Sequence, residues 1–297
     1  MRIFKETHVP FVKHNKIALS VSGIAIVLGL LLMIFIRGLN YGIDFTGGSL
    51  FQIEFQKSVT TAEVRSALAT QRLQNAIIQR SAGRNEYMIR LAENETSADI
   101  PARVSAALAS LPDNPFSIVK TEKVGPKIGR ELRVNMVKAI LAALVVIGIY
   151  ISVRFQLRFA VGAVVALIHD VLITLGLFSL FQLEISLSVV AAFLTIVGYS
   201  LNDTIVIFDR VRENLKTKRF DAIDVIINTS INESLSRTIV TSVTTLIVVI
   251  ALAFARGEVR IFAIAMIIGV LVGTYSSVYI AGPIVIYWQK LVNLKTK

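Results

Sequence analysis

Six long apolar runs dominate the chain, at residues 17–36, 134–153, 159–181, 185–208, 238–255 and 261–288, and a polar, mixed stretch at 37–133 separates the first two. About twenty helical residues, at about 1.5 Å each, cross a hydrocarbon core of about 30 Å. The pattern therefore predicts a polytopic α-helical membrane protein with six transmembrane helices. The first run is too long for the apolar part of a signal peptide, and Arg37, Gly38, Leu39 and Asn40 after it offer no small-residue cleavage site. It is read as a retained membrane helix.

Between the first two runs the period changes. Residues 49–56 (SLFQIEFQ) alternate as a half-buried strand does, and Thr60 with Glu63 forms a capping box that opens a helix to about residue 73. Short strands are expected at 76–80 and 86–91, with Gly83 and Asn85 in the turn between them. A helix fits 98–110, and Pro112, Asn114 and Pro115 separate it from a last strand at 116–123. The order β, α, β, β, α, β is that of a small α+β ferredoxin-like domain. The chain then divides into a terminus (1–16), a first helix (17–36), the α+β domain (37–133), five further helices (134–288) and a second terminus (289–297).

Composition agrees: the 297 residues are 54% hydrophobic and only 17% charged. A formal charge of +11 could mark a nucleic-acid binder, but no basic stripe with interleaved aromatics is present, so nucleic acid is not an expected partner. The cations instead collect on one side. Arg154 and Arg158 follow the second run, Arg210, Arg212, Lys216, Lys218 and Arg219 the fourth, and Lys290, Lys295 and Lys297 the sixth. The opposite connections carry Gln182 and Glu184, then Arg256 and Arg260. The positive-inside rule places both termini in the cytoplasm and the α+β domain outside. A chain without cysteine has no disulfide, thiolate metal site or cysteine nucleophile. Walker A, G-x-S-x-G and metal-spaced histidine patterns are also absent, so neither an enzyme nor a cofactor is expected. Gly47 and Gly48 precede a strand, which reads as a turn and not a phosphate loop.

The chemistry concentrates in residues 196–214 (IVGYSLNDTIVIFDRVREN), which place Asp203 inside an apolar run. A carboxylate at that depth costs several kcal/mol, so it faces a protein interior or a water cavity and serves ion or proton movement, unless it lies near enough to the headgroups to stay hydrated. Arg237 stands at the start of the fifth run, and an antiparallel neighbour would bring it to the depth of Asp203; its alternative is to snorkel to the interface. Next to a guanidinium the charge favours the ionised carboxylate while desolvation favours the neutral one, so hydration can tip the balance. Thr238, Thr241, Thr244 and Thr245 extend a polar stripe inward, as a water path or as helix glue. Asp170, near the middle of the third run, is either a second proton-handling group or an interhelical hydrogen-bonding one. Its neighbour His169 is expected about 100° away, as a packing residue. Ala265, Gly269, Gly273, Ser277 and Ala281 make a small-residue row suited to tight helix contact.

Residues 41–50 (YGIDFTGGSL), 124–133 (VGPKIGRELR) and above all 198–214 (GYSLNDTIVIFDRVREN), with Arg237 and Thr238, resemble the SecF family of protein-export membrane proteins, and the likeness runs the length of the chain. The resemblance implies the resistance-nodulation-division superfamily and a bacterial cytoplasmic membrane location. It implies a pseudo-symmetric pair with SecD beside the SecYEG channel, alongside further accessory subunits, in which the proton is the coupling ion and a translocating polypeptide is the cargo. Family roles fall on Asp203 and Arg237 as the proton-transport pair, with Thr241 one turn beyond. No SecD half is read in the chain, so a separate SecD partner is expected. A proton-driven efflux pump of the same superfamily and a passive scaffold subunit are the alternatives. A single outer domain of this size leaves little room for an efflux pocket.

Overall fold

The structure is a computed structural model that describes residues 7–80, 85–91, 99–111, 114–218, 220–255 and 257–295. Gly83, Ala98, Pro112, Arg219 and Arg256 lie outside the described residues. Among the described residues, six helices are long and apolar enough to cross a membrane: Phe11–Ile36, Pro126–Arg154, Leu157–Leu180, Leu187–Thr217, Ile223–Ala253 and Gly257–Val292, numbered here as the first to sixth spans. Several outrun their apolar runs, because an amphipathic extension keeps its helical hydrogen bonds where apolarity stops. The fifth span starts at Ile223, so Asn228, Asn232 and Arg237 are already helical. The second opens on Pro126, where a missing N–H costs no intrahelical bond.

The chain divides into two compact units, Tyr41–Val137 and the combination of Met1–Asn40 with Lys138–Lys297. The first unit holds β1 (Gly48–Phe55), α1 (Thr61–Thr70), β2 (Ile77–Arg80), β3 (Glu86–Leu91), α2 (Ile100–Ala109) and β4 (Phe116–Val124). The sheet order is β2-β3-β1-β4 and each pair is antiparallel. Thr60 caps α1 as its sequence requires: Thr60 Oγ1 accepts from the Glu63 N–H at 3.2 Å, and the Thr60 N–H donates to Glu63 Oε2 at 2.7 Å. The donors supplied by the Thr60 backbone and side chain hold the Glu63 carboxyl below its ordinary value. Alternate residues Phe51, Ile53 and Phe55 of β1 and Tyr87, Ile89 and Leu91 of β3 point to one face and pack on Val64, Leu68, Val104 and Leu108. In water each such side chain contributes about 1.5–3 kcal/mol. Gly48 has φ 133°, and a Cβ there would strike the Leu91 carbonyl, which is why glycine turns the chain into β1.

In the second unit apolar burial drives little, since lipid is as apolar as leucine, and close backbone approach does more of the holding. The small-residue row of the sixth span performs that role. A Cβ on Gly269 would collide with Ile196 of the fourth span, and one on Gly273 would come within 2.9 Å of Ser200 Cβ. Gly29 of the first span and Gly176 of the third meet in the same way, with a Cβ on Gly29 only 3.2 Å from the Gly176 Cα. Phe159 and Phe208 anchor the apolar core, ring centroids 4.9 Å apart. The sixth span widens into a π-helical turn at Ser277–Ala281. Gly282 and Pro283 follow it, and the proline, lacking an N–H and crowding the carbonyl four residues back, disfavours a regular α-turn there.

Candidate functional site

Asp203 lies midway along the fourth span and is 2% exposed. Its Oδ1 accepts a hydrogen bond from Thr241 Oγ1 at 3.2 Å, across to the fifth span. Thr241 Oγ1 also lies 3.0 Å from the Arg237 carbonyl and 2.9 Å from that of Thr238, the usual resting place of a helical threonine hydroxyl. Among the described residues Asp203 Oδ2 has no hydrogen-bond partner, and neither have the buried Thr238 Oγ1 and Tyr199 Oη. Tyr199 shares the Asp203 face of its helix at i−4, and Thr238 shares the Thr241 face at i−3. Three unsatisfied polar atoms thus lie on the two helix faces that the Thr241 bond joins. Buried polar groups normally have partners, and these three atoms are exceptions to that rule.

Arg237 is exposed, and among the described residues no ion pair joins it to Asp203. The arrangement is a carboxylate held at one oxygen by a neutral hydroxyl, with a cation one helical turn from that hydroxyl.

Asp170 is placed differently: it is fully buried and has several donors. Oδ2 accepts from Ser200 Oγ at 2.6 Å and from Ser276 Oγ at 2.9 Å, and Oδ1 lies 2.9 Å from His169 Nδ1. The expectation that His169 points away is corrected by this contact, since a flexible χ1 and χ2 bring adjacent side chains together even though their Cα–Cβ bonds diverge. The His169 ring also stacks on Tyr275 with centroids 6.0 Å apart. Ser200 and Ser276 carry no signal in the sequence, because serine in an apolar helix is ordinarily a packing residue. A second polar layer adjoins the first: Thr204 Oγ1 and Ser277 Oγ lie 2.9 Å apart, and Ser242 Oγ and Thr274 Oγ1 lie 2.7 Å apart. Ser200 and Asp203, three residues apart, lie on adjoining parts of one face of the fourth span: Asp203 bonds Thr241 of the fifth, and beside it the Asp170 knot ties the fourth to the third and sixth.

The motifs at residues 41–50 and 124–133 come together within the smaller unit. Gly129 packs on Phe45 and Gly47, and the Arg133 guanidinium lies 4.3 Å over the Tyr41 ring while donating to the Phe45 carbonyl at 3.3 Å. Among the described residues no cluster of His, Cys, Asp and Glu is arranged to hold a metal ion.

Residues 104–291 match the family described as Protein export membrane protein SecD/SecF, C-terminal, and residues 32–59 match the SecD/SecF GG Motif. A protein translocase subunit SecF of Desulfurispirillum indicum is 45% identical over 290 residues, covering 95% of this chain and 92% of its own. One of Rhodothermus marinus is 45% identical over 294 residues, covering 96% and 95%. The crystal structure of SecDF, a translocon-associated membrane protein from Thermus thermophilus, superposes with a TM-score of 0.87 at 36% identity. That match takes in 96% of this chain but 39% of the solved one, so this chain spans about two fifths of the SecDF length. SecDF in a super-membrane-facing form gives a TM-score of 0.73 at 36% identity, covering 99% of this chain and 40% of that one.

Proposed function

This chain belongs to the SecD/SecF family of protein export membrane proteins, and from that membership we propose that it is the SecF half of a proton-driven accessory complex of the Sec translocase. It is a multi-pass membrane subunit of the protein-export pathway. In the proposed reading its partner is SecD, consistent with the likeness to SecDF. The pair works beside the SecYEG channel of a bacterial cytoplasmic membrane on a translocating polypeptide, with the proton as coupling ion and no other cofactor. Asp203 carries the proton, Thr241 and Arg237 set its ionised state, and Asp170 is the second carboxyl of the machinery. The basic connections, Arg154 with Arg158 and Arg210 with Lys216 and Lys218, support a cytoplasmic location for both termini. The antiparallel order β2-β3-β1-β4, with a helix after β1 and after β3, supports a ferredoxin-like domain, which the same charge rule puts outside the membrane.

The observation that carries this reading is the Asp203 carboxylate, buried with Oδ1 held by Thr241 and Oδ2 without a hydrogen-bond partner among the described residues. A carboxylate so provided for can take a proton without first breaking a full set of bonds. In vesicles containing the complex of this chain with its SecD partner, Asp203→Asn should assemble yet lose proton conductance and gradient-dependent export. Retention of both at wild-type level leaves the scaffold reading. Gradient-driven extrusion of small amphiphiles, with export unaffected, would favour the efflux reading.

A further inference from the structure

The segment that leads into the first span is bound along its backbone. Asn232 pairs with Val9 reciprocally: the Val9 N–H donates to Asn232 Oδ1 at 2.9 Å, and Asn232 Nδ2 donates to the Val9 carbonyl at 2.9 Å. One turn earlier, Asn228 accepts from the Val12 N–H at 3.2 Å and donates to the same Val9 carbonyl at 3.2 Å. Thr7 Oγ1 adds a bond to the Asn232 carbonyl at 3.3 Å. A side-chain amide offers a donor and an acceptor in one plane, as a peptide does, so two asparagines at i and i+4 can hold the backbone where Val9 and Pro10 lead into the 3-10 turn Phe11–His14. Pro10 between the gripped residues has no N–H to leave unpaired. The other face of the segment is apolar: Phe11 is buried and meets the Tyr279 ring edge-on, with centroids 5.8 Å apart.

These two attachments lie on the two helices that flank Asp203. Asn232 is about 7.5 Å along the fifth span from Arg237 and about 13.5 Å from Thr241. Tyr279 belongs to the π-helical turn of the sixth span, and Ser277 in that turn bonds Thr204, the residue after Asp203. At this end of the bundle the fifth and sixth spans meet through Ile227 and Ile231, which pack around Gly282, and the exposed pair Asp224–Lys290, 3.0 Å apart, adds little.

The geometry points to residues 7–12 as a strap that fixes the fifth span against the sixth and so sets the Thr241–Asp203 contact, with Asn228 and Asn232 as its positioning residues. This inference rests on the proposed role of Asp203. The strap touches neither the carboxylate nor its bonded hydroxyl, and it acts by holding in register the helices that carry them. If it yields, the fifth span can slide or rotate, and the 3.2 Å bond to Asp203 is among the first contacts to lengthen.

The test uses the complex with its SecD partner in vesicles and reads proton conductance in four forms: wild type, Asp203→Asn, Asn228→Ala with Asn232→Ala, and all three changes together. The asparagine pair should lower conductance about tenfold or more, the expected scale when several hydrogen bonds are lost. In the Asp203→Asn background the pair should change nothing further. A second variant guards against misfolding. Val9→Cys with Asn232→Cys, free of background in this chain without cysteine, is joined by a short cleavable bis-thiosulfonate before reconstitution. The joined form should conduct within about twofold of wild type, and cleavage of the link in the vesicle should bring the tenfold loss. Conductance indifferent both to the asparagine pair and to cleavage overturns the strap while leaving Asp203 in place. Conductance that survives Asp203→Asn overturns the proton reading instead, and the two failures are told apart by which form stays active.

Discussion

At the scale of residues, the two oxygens of Asp203 are unequally provided for, and that inequality is what a proton carrier needs. Oδ1 depends on one hydroxyl, Thr241 Oγ1. Thr241→Val keeps the side-chain shape and removes the donor, which should cut proton conductance about tenfold or more, while Thr241→Ser should stay within about threefold of wild type. Equal conductance in the valine variant would show that the hydroxyl is incidental. Asp203 is legible from sequence because a lone carboxylate in an apolar run is expensive wherever it goes. Thr241 is singled out only through the family likeness, since a threonine stripe in a membrane helix has two readings. The hydroxyl donors on Asp170 are not legible at all: Ser200 and Ser276 reach it from two other spans whose proximity is a matter of tertiary packing, while His169 adds a contact from the adjoining position.

At the scale of elements, the interplay of Gly273 with Ser200 shows how backbone proximity and polar chemistry depend on one another. Ser200 can donate to Asp170 while Ser276 does so from the sixth span because the two helices approach closely at Gly273. Gly273→Ala must part them by a few tenths of an ångström, at about 1–3 kcal/mol. Heating of the purified complex should show a clear loss of stability for this variant. Gly23→Ala, where a Cβ meets nothing within 4 Å, serves as the control and should show none. Stability unchanged in both would mean that the fourth and sixth spans tolerate more separation than their packing indicates. The strands and helices of the smaller unit form where alternation and the capping box put them, because each is specified by neighbours in sequence. The lengths of the membrane helices are less legible, because hydropathy reports only the part of a helix that lipid solvates. The polar first half of the fifth span, with Asn228, Asn232 and Arg237, is helical for reasons that lie in its docking.

At the scale of the whole molecule, the distribution of cations predicts an orientation, and the absence of cysteine makes it measurable. A single cysteine in place of the exposed Lys57 should react with an impermeant thiol reagent from outside the cell, and one in place of the exposed Thr217 only after the membrane is opened. The reverse pattern would invert the topology and place the smaller unit in the cytoplasm.

The grip of Asn232 on Val9 joins residues 223 apart in sequence, and that separation has a consequence for biogenesis. At about 5–20 residues per second, a ribosome needs roughly 10–45 s after making Val9 to make its partner, and during that time the beginning of the chain has nothing to dock on. Closure of the N-terminal segment must therefore be among the last events of maturation, after the fifth and sixth spans have entered the bilayer. A site-specific protease site placed ahead of Thr7 should be cut readily in nascent chains arrested before Asn228 and become protected once the sixth span is complete; equal cutting at both stages would show that the segment docks elsewhere first.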